Sequence, residues 1–207
     1  SASSLKTALK HGYIKSQKIS VYRDPLAHLE VEQSHSRTLT VAQEEVYEQV
    51  AQALEAHQDQ TFLLEGVTGS GKTEVYLQLM AKASQMGRGA ILLVPEIALT
   101  PQMVRQVKSR FQTGVAVLHS GLTNSQKYDE WRRIIRGQAT IVVGARSSIF
   151  APICDLGLVI IDEEHETTYK QSDTPRYHAR EVAIWRCHYH QSPLLLGSAT
   201  PSLESRS

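Results

Sequence analysis

The stretch Gly66-Val67-Thr68-Gly69-Ser70-Gly71-Lys72-Thr73 follows the apolar run Phe62-Leu63-Leu64 and leads into a helix-like stretch from Glu74 to Met86. A strand, a glycine-rich loop and a helix in this order predict a phosphate-binding loop. Glycine lets backbone N–H groups close around phosphate oxygens, and the helix N-terminus adds the positive end of its dipole. Lys72 can then reach the β- and γ-phosphates, and the Thr73 hydroxyl can hold Mg²⁺. We therefore expect residues 66–73 to bind a nucleotide.

Length and composition indicate a soluble globular protein. The 207 residues suffice for one medium α/β domain and a short appendage, and 41% hydrophobic with 21% charged residues is ordinary for such a fold. The net charge is only +1, but Lys6, Lys10, Lys15, Lys18 and Arg23 give the front a basic surplus. Such a run is either a solvated face or a nucleic-acid contact.

The cysteines and the apolar runs bear on compartment. Cys154 and Cys187 lie far apart without a Cys-x-x-Cys, which indicates neither a disulfide framework nor a zinc ribbon. We expect a cytoplasmic protein with no membrane contact, because no apolar run approaches a membrane span and the start is not a cleavable signal. The missing initiator Met indicates an excised fragment.

The front of the chain suggests a small appendage. Ser3 to Lys10 predicts a short helix, and Tyr13-Ile14 and Ile19 to Tyr22 look like short strands around a basic turn. This pattern is typical of the end of a winged-helix module, and equally of a partly ordered tail. We assign residues 1–30 to a winged-helix remnant with its linker and residues 31–207 to the main lobe.

Regular alternation begins after a helix from Leu39 to Glu55, whose N-cap is Thr40. Short apolar runs then alternate with amphipathic segments. Two of these segments begin with an N-cap, Thr100 before Pro101 and Thr123 with Gln126 three residues on, and Tyr128, Trp131 and Ile135 follow Thr123 at helical steps. The predicted strands are 61–65, 90–94, 115–118, 140–143, 158–161 and 194–196. Their unbroken apolar character predicts a mostly parallel sheet with helices on both faces.

A cluster of carboxylates follows the fifth of these strands. An Asp at the carboxyl end of a neighbouring strand, here Asp162, could reach Mg²⁺, and the adjacent Glu163 could orient or deprotonate the attacking water. Alone, such a cluster is more often a solvated loop start. Its pairing with a phosphate-binding loop favours the hydrolytic interpretation.

The string Asp162-Glu163-Glu164-His165 resembles a DExH box, and other strings in the right order resemble the superfamily 2 helicases, most closely the primosomal replication-restart helicases. Those strings are residues 66–76, 94–102, 118–122, 144–152 and 197–201. The resemblance runs from about Thr38 to the end and, more weakly, through the front segment.

The resemblance implies a RecA-like P-loop NTPase lobe with ATP and Mg²⁺ as cofactors. It makes Lys72, Asp162 and Glu163 catalytic, with Thr73 and Asp162 on the metal side. Gln43 would hydrogen-bond the adenine base, although an ordinary exposed helix Gln is the alternative. The residues that would couple hydrolysis to DNA are His165, Ser198, Ala199 and Thr200.

The resemblance also implies a path for single-stranded DNA. Thr100, Arg146, Ser147 and Ser148 would hold phosphates along it. Tyr169, Lys170, Arg176 and Tyr177 lie in an aromatic-rich loop suited to base stacking and phosphate contact. The alternatives are a salt bridge across a loop for Arg146, and a plain surface loop with its aromatic rings tucked into the core.

The implied whole enzyme is a monomeric, ATP-driven 3′-to-5′ DNA helicase that remodels stalled forks for primosome assembly. Its partners would be single-stranded and forked DNA, other primosome proteins and single-strand-binding protein. We expect the second lobe to be absent here, with its arginine and its zinc-binding insertion, and the fragment to be a poor ATPase. Another superfamily 2 translocase, or a nucleotide-dependent switch or kinase, remains an alternative.

Overall fold

The computed structural model describes residues 2–15, 31–67 and 69–199. Its centre is a six-stranded sheet in which every strand pair is parallel, in the order β1-β8-β5-β2-β4-β3. These strands are β1 Thr61–Glu65, β2 Gly89–Leu93, β3 Val115–Leu118, β4 Ile141–Gly144, β5 Leu156–Ile161 and β8 Leu194–Ser198. All six strands predicted from sequence are confirmed, with ends that move by one or two residues.

Two further strands form a small antiparallel ribbon, β6 Lys170–Gln171 and β7 Tyr177–His178. The helices are α1 Ala2–Lys10, α2 Val41–Glu55, α3 Lys72–Gln85, α4 Pro101–Phe111, α5 Asn124–Ile135 and α6 Ala179–His190. Short 3₁₀ turns lie at Glu96–Ala98, Gln112–Gly114, Arg146–Phe150 and Thr167–Tyr169.

Helices cover both faces of the sheet because both faces of its strands are apolar. Along β2, Ala90 and Leu92 belong to one core, and Ile91 and Leu93 belong to the other. The first core packs against α2, α3 and α4, and the second packs against α5 and α6. Such two-sided burial explains why the strands read as continuous apolar runs rather than as alternating ones.

The helix starts predicted from sequence are confirmed. The Thr40 hydroxyl accepts from the backbone N–H of Gln43, Thr100 caps α4 with Pro101 at its first position, and Thr123 caps α5. At Thr40 and at Thr123 the glutamine three residues on bonds back to the backbone N–H of the cap residue, so each site is a reciprocal capping box. The caps of α4 and α5 fix where these two helices begin beyond the carboxyl ends of β2 and β3.

The helical spacing of Tyr128, Trp131 and Ile135 in α5 does not mark its buried face. Tyr128 is 61% exposed and Ile135 is 57% exposed, whereas Glu130 and Ile134 are buried. Glu130 tolerates burial because the Arg133 guanidinium donates to both of its carboxylate oxygens, at 3.1 and 3.2 Å. The aromatic side of α5 therefore faces outward or lines a groove.

The front of the chain is only partly described. The helix expected from Ser3 to Lys10 is confirmed as α1, whereas Tyr13 and Ile14 lie in a bend and form no strand. The other expected strand, residues 19–22, and the linker up to residue 30 lie outside the described residues. The assignment of residues 1–30 to a winged-helix remnant stays a prediction. Among the described residues, no helix has the length and apolar character to cross a membrane.

Candidate functional site

The carboxyl edge of the sheet brings together three segments that are far apart in sequence. β8 lies between β1 and β5, with Glu65 beside Ser198 and Ile161 beside Leu196. The phosphate-binding loop leaves β1, the carboxylates follow β5, and the Ser198-Ala199 segment leaves β8. In a parallel sheet these ends must meet, and ligands of open α/β sheets bind at this edge.

Lys72 spans the cleft between the loop and the carboxylates. Its ammonium donates to the Gly66 carbonyl oxygen at 2.6 Å and to Glu163 Oε1 at 3.2 Å. The loop reaches this geometry through Gly71, whose φ of +83° lies in the left-handed region. Phosphate oxygens could replace both acceptors of Lys72, because an ammonium donates up to three hydrogen bonds.

Asp162 is held by a buried tyrosine. The Tyr76 hydroxyl donates to Asp162 Oδ1 at 2.9 Å. A Cβ atom at position 197 would collide with that hydroxyl, so the close approach requires Gly197. Burial raises the pKa of the Asp162 carboxyl, and the nearby Glu163 charge raises it further. Burial also raises the pKa of the Tyr76 phenol, which therefore stays protonated as a donor.

Glu163 links the loop to the β8 segment. Its φ is +47°, and its Oε2 accepts from the Ala199 backbone N–H at 3.2 Å while Oε1 faces Lys72. The His165 ring lies 3.1 Å from Ser198 Oγ and 3.7 Å from Glu163 Oε2. The structure thus brings His165, Ser198 and Ala199 together around one carboxylate. Thr200 lies outside the described residues.

A cavity of about 290 Å³ opens between these groups. Its lining includes Ser70, Lys72, Thr73, Asp162 and Glu163. The Thr73 hydroxyl and the Asp162 carboxylate are hard oxygen donors of the kind that Mg²⁺ binds alongside substrate phosphates. In the part of the chain that the structure describes, no group of three or more His, Cys, Asp or Glu side chains could hold a metal by itself. These donors therefore fit a Mg²⁺ ion that arrives with a nucleotide.

Gln43 lies against the phosphate-binding loop. Its Oε1 accepts from the Thr40 N–H at 2.9 Å, and its Nε2 donates to the Ser70 carbonyl at 2.8 Å. A Cβ at position 71 would lie 2.5 Å from that nitrogen. Gln43 thus both caps α2 and contacts the loop, and base recognition by Gln43 stays a prediction.

A buried ion pair beside the loop was not predicted from sequence. Arg110 Nη2 donates to Glu74 Oε1 at 3.0 Å and to the His35 carbonyl at 3.0 Å, and Glu74 also accepts from the Arg37 N–H at 3.0 Å. We call residues 34–37 the strap, because they connect α4 across α3 to the start of α2. Arg37 and Gln106 are among the residues that line the nucleotide cavity. The signal for Glu74 is its place directly after Lys72-Thr73, but its partner is 36 residues away.

Three of the residues predicted to contact DNA, Arg146, Ser147 and Tyr169, line a second cavity, of about 510 Å³, which we call the groove. Arg146 donates to the carbonyls of Thr168 at 3.0 Å and Lys170 at 2.8 Å, and its guanidinium lies 5.7 Å from the centre of the Tyr177 ring. The salt bridge considered for Arg146 is therefore replaced by contacts to loop carbonyls.

Two of these predicted DNA contacts require correction. Tyr169 is only 1% exposed, and its hydroxyl donates to the Asp162 carbonyl at 2.6 Å, so its ring does not present a face to bases. Ser148 is equally buried, with its hydroxyl directed to the Leu118 carbonyl at 3.4 Å. Tyr169 lines the groove with only the small part of its surface that is exposed. Ser148 packs so closely on Gly144 that a Cβ atom there would collide with its hydroxyl.

The other predicted DNA contacts are accessible. Ser147, Lys170 and Arg176 are exposed, and Tyr177 is half-buried with its edge against Phe150 at 5.0 Å between ring centres. Thr100 is also exposed, but its hydroxyl already accepts from the Met103 N–H at 3.3 Å as the cap of α4. Their contact with DNA stays a prediction.

Comparison with known proteins identifies similar families. The model of the DEAD/DEAH box helicase family matches residues 40–206. The replication restart protein PriA of Bacillus subtilis is 52% identical over 99% of the chain, which covers 26% of that protein. PriA of Synechocystis is 46% identical over 99% of the chain, which covers 24% of that protein. The chain thus spans about a quarter of the length of these curated relatives.

Solved structures show the same fold. RecG bound to a three-way DNA junction is 25% identical over 82% of the chain and 22% of its own, with a TM-score of 0.58. The helicase domain of Hef from Pyrococcus furiosus is 16% identical over 81% of the chain and 34% of its own, with a TM-score of 0.52. The six-stranded parallel sheet with helices on both faces is therefore the RecA-like α/β lobe that the sequence predicted.

Proposed function

Because the chain belongs to the DEAD/DEAH box helicase family, we propose that it is the ATP-binding lobe of a 3′-to-5′ DNA helicase that remodels stalled replication forks for replication restart. The identity of about 50% with PriA proteins over nearly the whole chain supports the restart role. The direction of movement rests on the resemblance noted in the sequence. Single-stranded and forked DNA are the proposed substrates.

One observation carries the proposal: Lys72 and Glu163 meet at 3.2 Å across a cavity that also holds Thr73 and Asp162. In this arrangement Lys72 binds the β- and γ-phosphates, and Asp162 with Thr73 holds Mg²⁺. Glu163 is then free to orient the attacking water. Bound Mg²⁺ would neutralise charge on the phosphates during hydrolysis.

His165, Ser198 and Ala199 are proposed to couple ATP hydrolysis in this site to the binding of DNA. All three contact Glu163 or one another, so a change in the Glu163 position would move the β8 segment. Thr200 is proposed to act with them. The cytoplasm is the proposed location, a monomer the proposed state, and other primosome proteins and single-strand-binding protein the proposed partners.

A chimera tests the proposal directly. In B. subtilis PriA the matched quarter of the chain is replaced by this chain, and ATP hydrolysis is measured with and without forked DNA. We expect DNA-stimulated hydrolysis and unwinding of a duplex with a 3′ single-stranded tail, both lost on Glu163→Gln. Hydrolysis that is indifferent to DNA, or unwinding only from a 5′ tail, would contradict the proposal.

A second candidate is a translocase that works on branched junctions, which the similarity to RecG supports. The same chimera distinguishes the two. A restart helicase should act on forks with a single-stranded tail, whereas a junction translocase should prefer a three-way junction without one. The family match decides against the kinase and switch alternatives.

A further inference from the structure

The outward face of α5 carries aromatic and basic side chains next to the groove. Tyr128 is exposed, and the Arg132 guanidinium lies 5.5 Å from the centre of its ring. One step further round the helix, Lys127 and Trp131 line the groove. Alternating rings and cations on one face is the composition of a single-strand binding surface.

The groove itself is built at the carboxyl ends of β2, β3 and β4. Lys127 and Trp131 of α5 line it together with Arg146 and Ser147, which follow β4. Its volume of about 510 Å³ has room for a base with its sugar. The side chain of Trp131 is half-buried against the second core, which holds its ring in place.

From this geometry we infer that the groove holds one nucleotide of single-stranded DNA, with its base stacked on Trp131 and its phosphate bound by Lys127. The inference rests on the proposed function and adds α5 to the DNA path, along which the resemblance had placed Thr100 and residues 146–148. Arg146, pinned by two loop carbonyls, would face the next phosphate.

The charges in the groove orient that nucleotide. Glu96 accepts from the Ser120 N–H at 3.0 Å, and this bond lowers the pKa of its carboxyl, with His119 and Lys127 nearby. A fixed carboxylate repels phosphate. The phosphates should therefore follow the Lys127, Ser147 and Arg146 rim, which leaves the base to enter beside the Trp131 ring.

The chain contains two tryptophans, Trp131 and Trp185, so substitution of one leaves the fluorescence of the other as the sole tryptophan signal. Trp185 lies on α6 and is 66% exposed. In a Trp185→Phe chain the only tryptophan emission comes from Trp131, and stacking of a base should quench it. We expect oligo(dT) to quench this emission saturably. The midpoint of quenching should equal the midpoint of binding measured by fluorescence anisotropy of the same oligonucleotide. In a Trp131→Phe chain, the remaining Trp185 emission should stay constant while the oligonucleotide still binds.

Lys127→Ala tests the phosphate contact. Loss of one phosphate contact should weaken binding at low salt several-fold and make the slope of log K against log[salt] shallower by about 0.7. Lys82→Ala removes the same charge from α3, where Lys82 pairs with Glu55, and should change neither value.

Three results would overturn the inference. Oligonucleotide binding without quenching of Trp131 would place DNA elsewhere on the lobe and leave the helicase proposal standing. Equal effects of Lys127→Ala and Lys82→Ala would show that only net charge matters. Absence of binding to this chain would also reject the groove, while the proposed function would still be judged by DNA-stimulated hydrolysis in the chimera.

Discussion

Lys72 and Glu163 form an ion pair across the cleft. The 3.2 Å contact and the 2.6 Å bond to Gly66 occupy the ammonium, so phosphates must replace partners that Lys72 already has. The same contact keeps Glu163 in the cleft beside Asp162. Binding of triphosphate would release Glu163 from Lys72 and leave its carboxylate available to a water molecule.

Glu163→Gln should therefore separate binding from hydrolysis. An amide cannot accept a proton from water, so we expect hydrolysis by the chimera to fall at least about 100-fold, the usual scale of lost general-base catalysis. Affinity for ATP should change little, since Lys72 keeps its other contacts. The measurements are steady-state turnover and titration with a fluorescent ATP analogue.

Glu166→Gln is the matched control, because this carboxylate lies three residues further on and has no assigned part in the cleft. It should retain turnover. Equal losses in both variants, or lost ATP binding with Glu163→Gln, would contradict the assignment of Glu163 to water activation.

The two cysteines should differ sharply in reactivity. Burial raises the pKa of the Cys187 thiol from its ordinary value near 9.0 to about 12, whereas Cys154 is exposed. The thiolate is the reactive form. At pH 8.5 the native chain should therefore take up one equivalent of a thiol reagent, at Cys154, and a second only after unfolding in guanidinium.

The raised pKa of Cys187 also makes the stability of the fold depend on pH. Below pH 9 the thiol is protonated in both states, and between pH 9 and 12 only the unfolded chain loses the proton. Stability from this group is therefore lost as the pH rises through that range.

Native Cys154→Ser protein should not react with the reagent at pH 8.5, and rapid labelling of that variant would refute the burial of Cys187.

At the level of elements, the Glu74–Arg110 pair joins α3, α4 and the strap. Both side chains are mostly buried, and removal of one partner of such a pair leaves an uncompensated charge. We expect Arg110→Met to lower the free energy of unfolding by about 3 kcal/mol, the low end of the range, because Glu74 keeps its bonds to Arg37 and Gln78. Urea denaturation measures this.

Arg105→Met is the matched control on the same helix, at an exposed position. It should change the free energy of unfolding by less than about 0.5 kcal/mol. Because the strap carries Arg37 into the nucleotide cavity, Arg110→Met should also weaken ATP binding under conditions where the chain stays folded. Unchanged affinity would show that the pair supports the fold alone.

The elements predicted from sequence were those with strong local signals. The strands have continuous apolar runs, and α4 and α5 have N-cap residues at the right spacing, so neither needed distant information. The order of the strands in the sheet, by contrast, depends on contacts between residues far apart in the sequence. Nothing local to Leu194–Ser198 says that this strand lies between β1 and β5, although that placement brings Ala199 to Glu163.

The burial of two side-chain groups, Tyr169 and the aromatic face of α5, was not predicted correctly from the sequence. Tyr169 belongs to a segment rich in rings and cations, which favours an exposed stacking role, but the carbonyl of Asp162 offers its hydroxyl a buried acceptor. In α5 the aromatic spacing suggested a buried face, but Tyr128 and Ile135 are exposed, and the buried side of the helix carries Glu130, which Arg133 neutralises three residues on. In both cases a polar partner that hydrophobic periodicity does not register determines which side chains are buried.

For the molecule as a whole, the groove and the nucleotide cavity share one edge of the sheet and one connecting side chain. Tyr169 lines the groove, and its hydroxyl donates to the backbone of Asp162, which lines the nucleotide cavity. A shift of the loop around residues 167–170 on binding of DNA would therefore pull on the strand end that carries the metal-side carboxylate.

Tyr169→Phe should weaken the coupling between DNA binding and nucleotide binding while both ligands still bind. By linkage, DNA must change the affinity for nucleotide by the same factor as nucleotide changes the affinity for DNA, and such factors are typically about 5 to 150. We expect that factor to approach 1 in Tyr169→Phe, while each affinity measured alone changes less than about fivefold, which corresponds to the ~1 kcal/mol of one hydrogen bond. Tyr189→Phe, on the exposed face of α6, should keep the native factor.

Titration of oligonucleotide with and without ADP, and of ADP with and without oligonucleotide, measures the coupling factor in both directions. If the two factors agree and survive Tyr169→Phe, the coupling runs through His165 and the β8 segment instead.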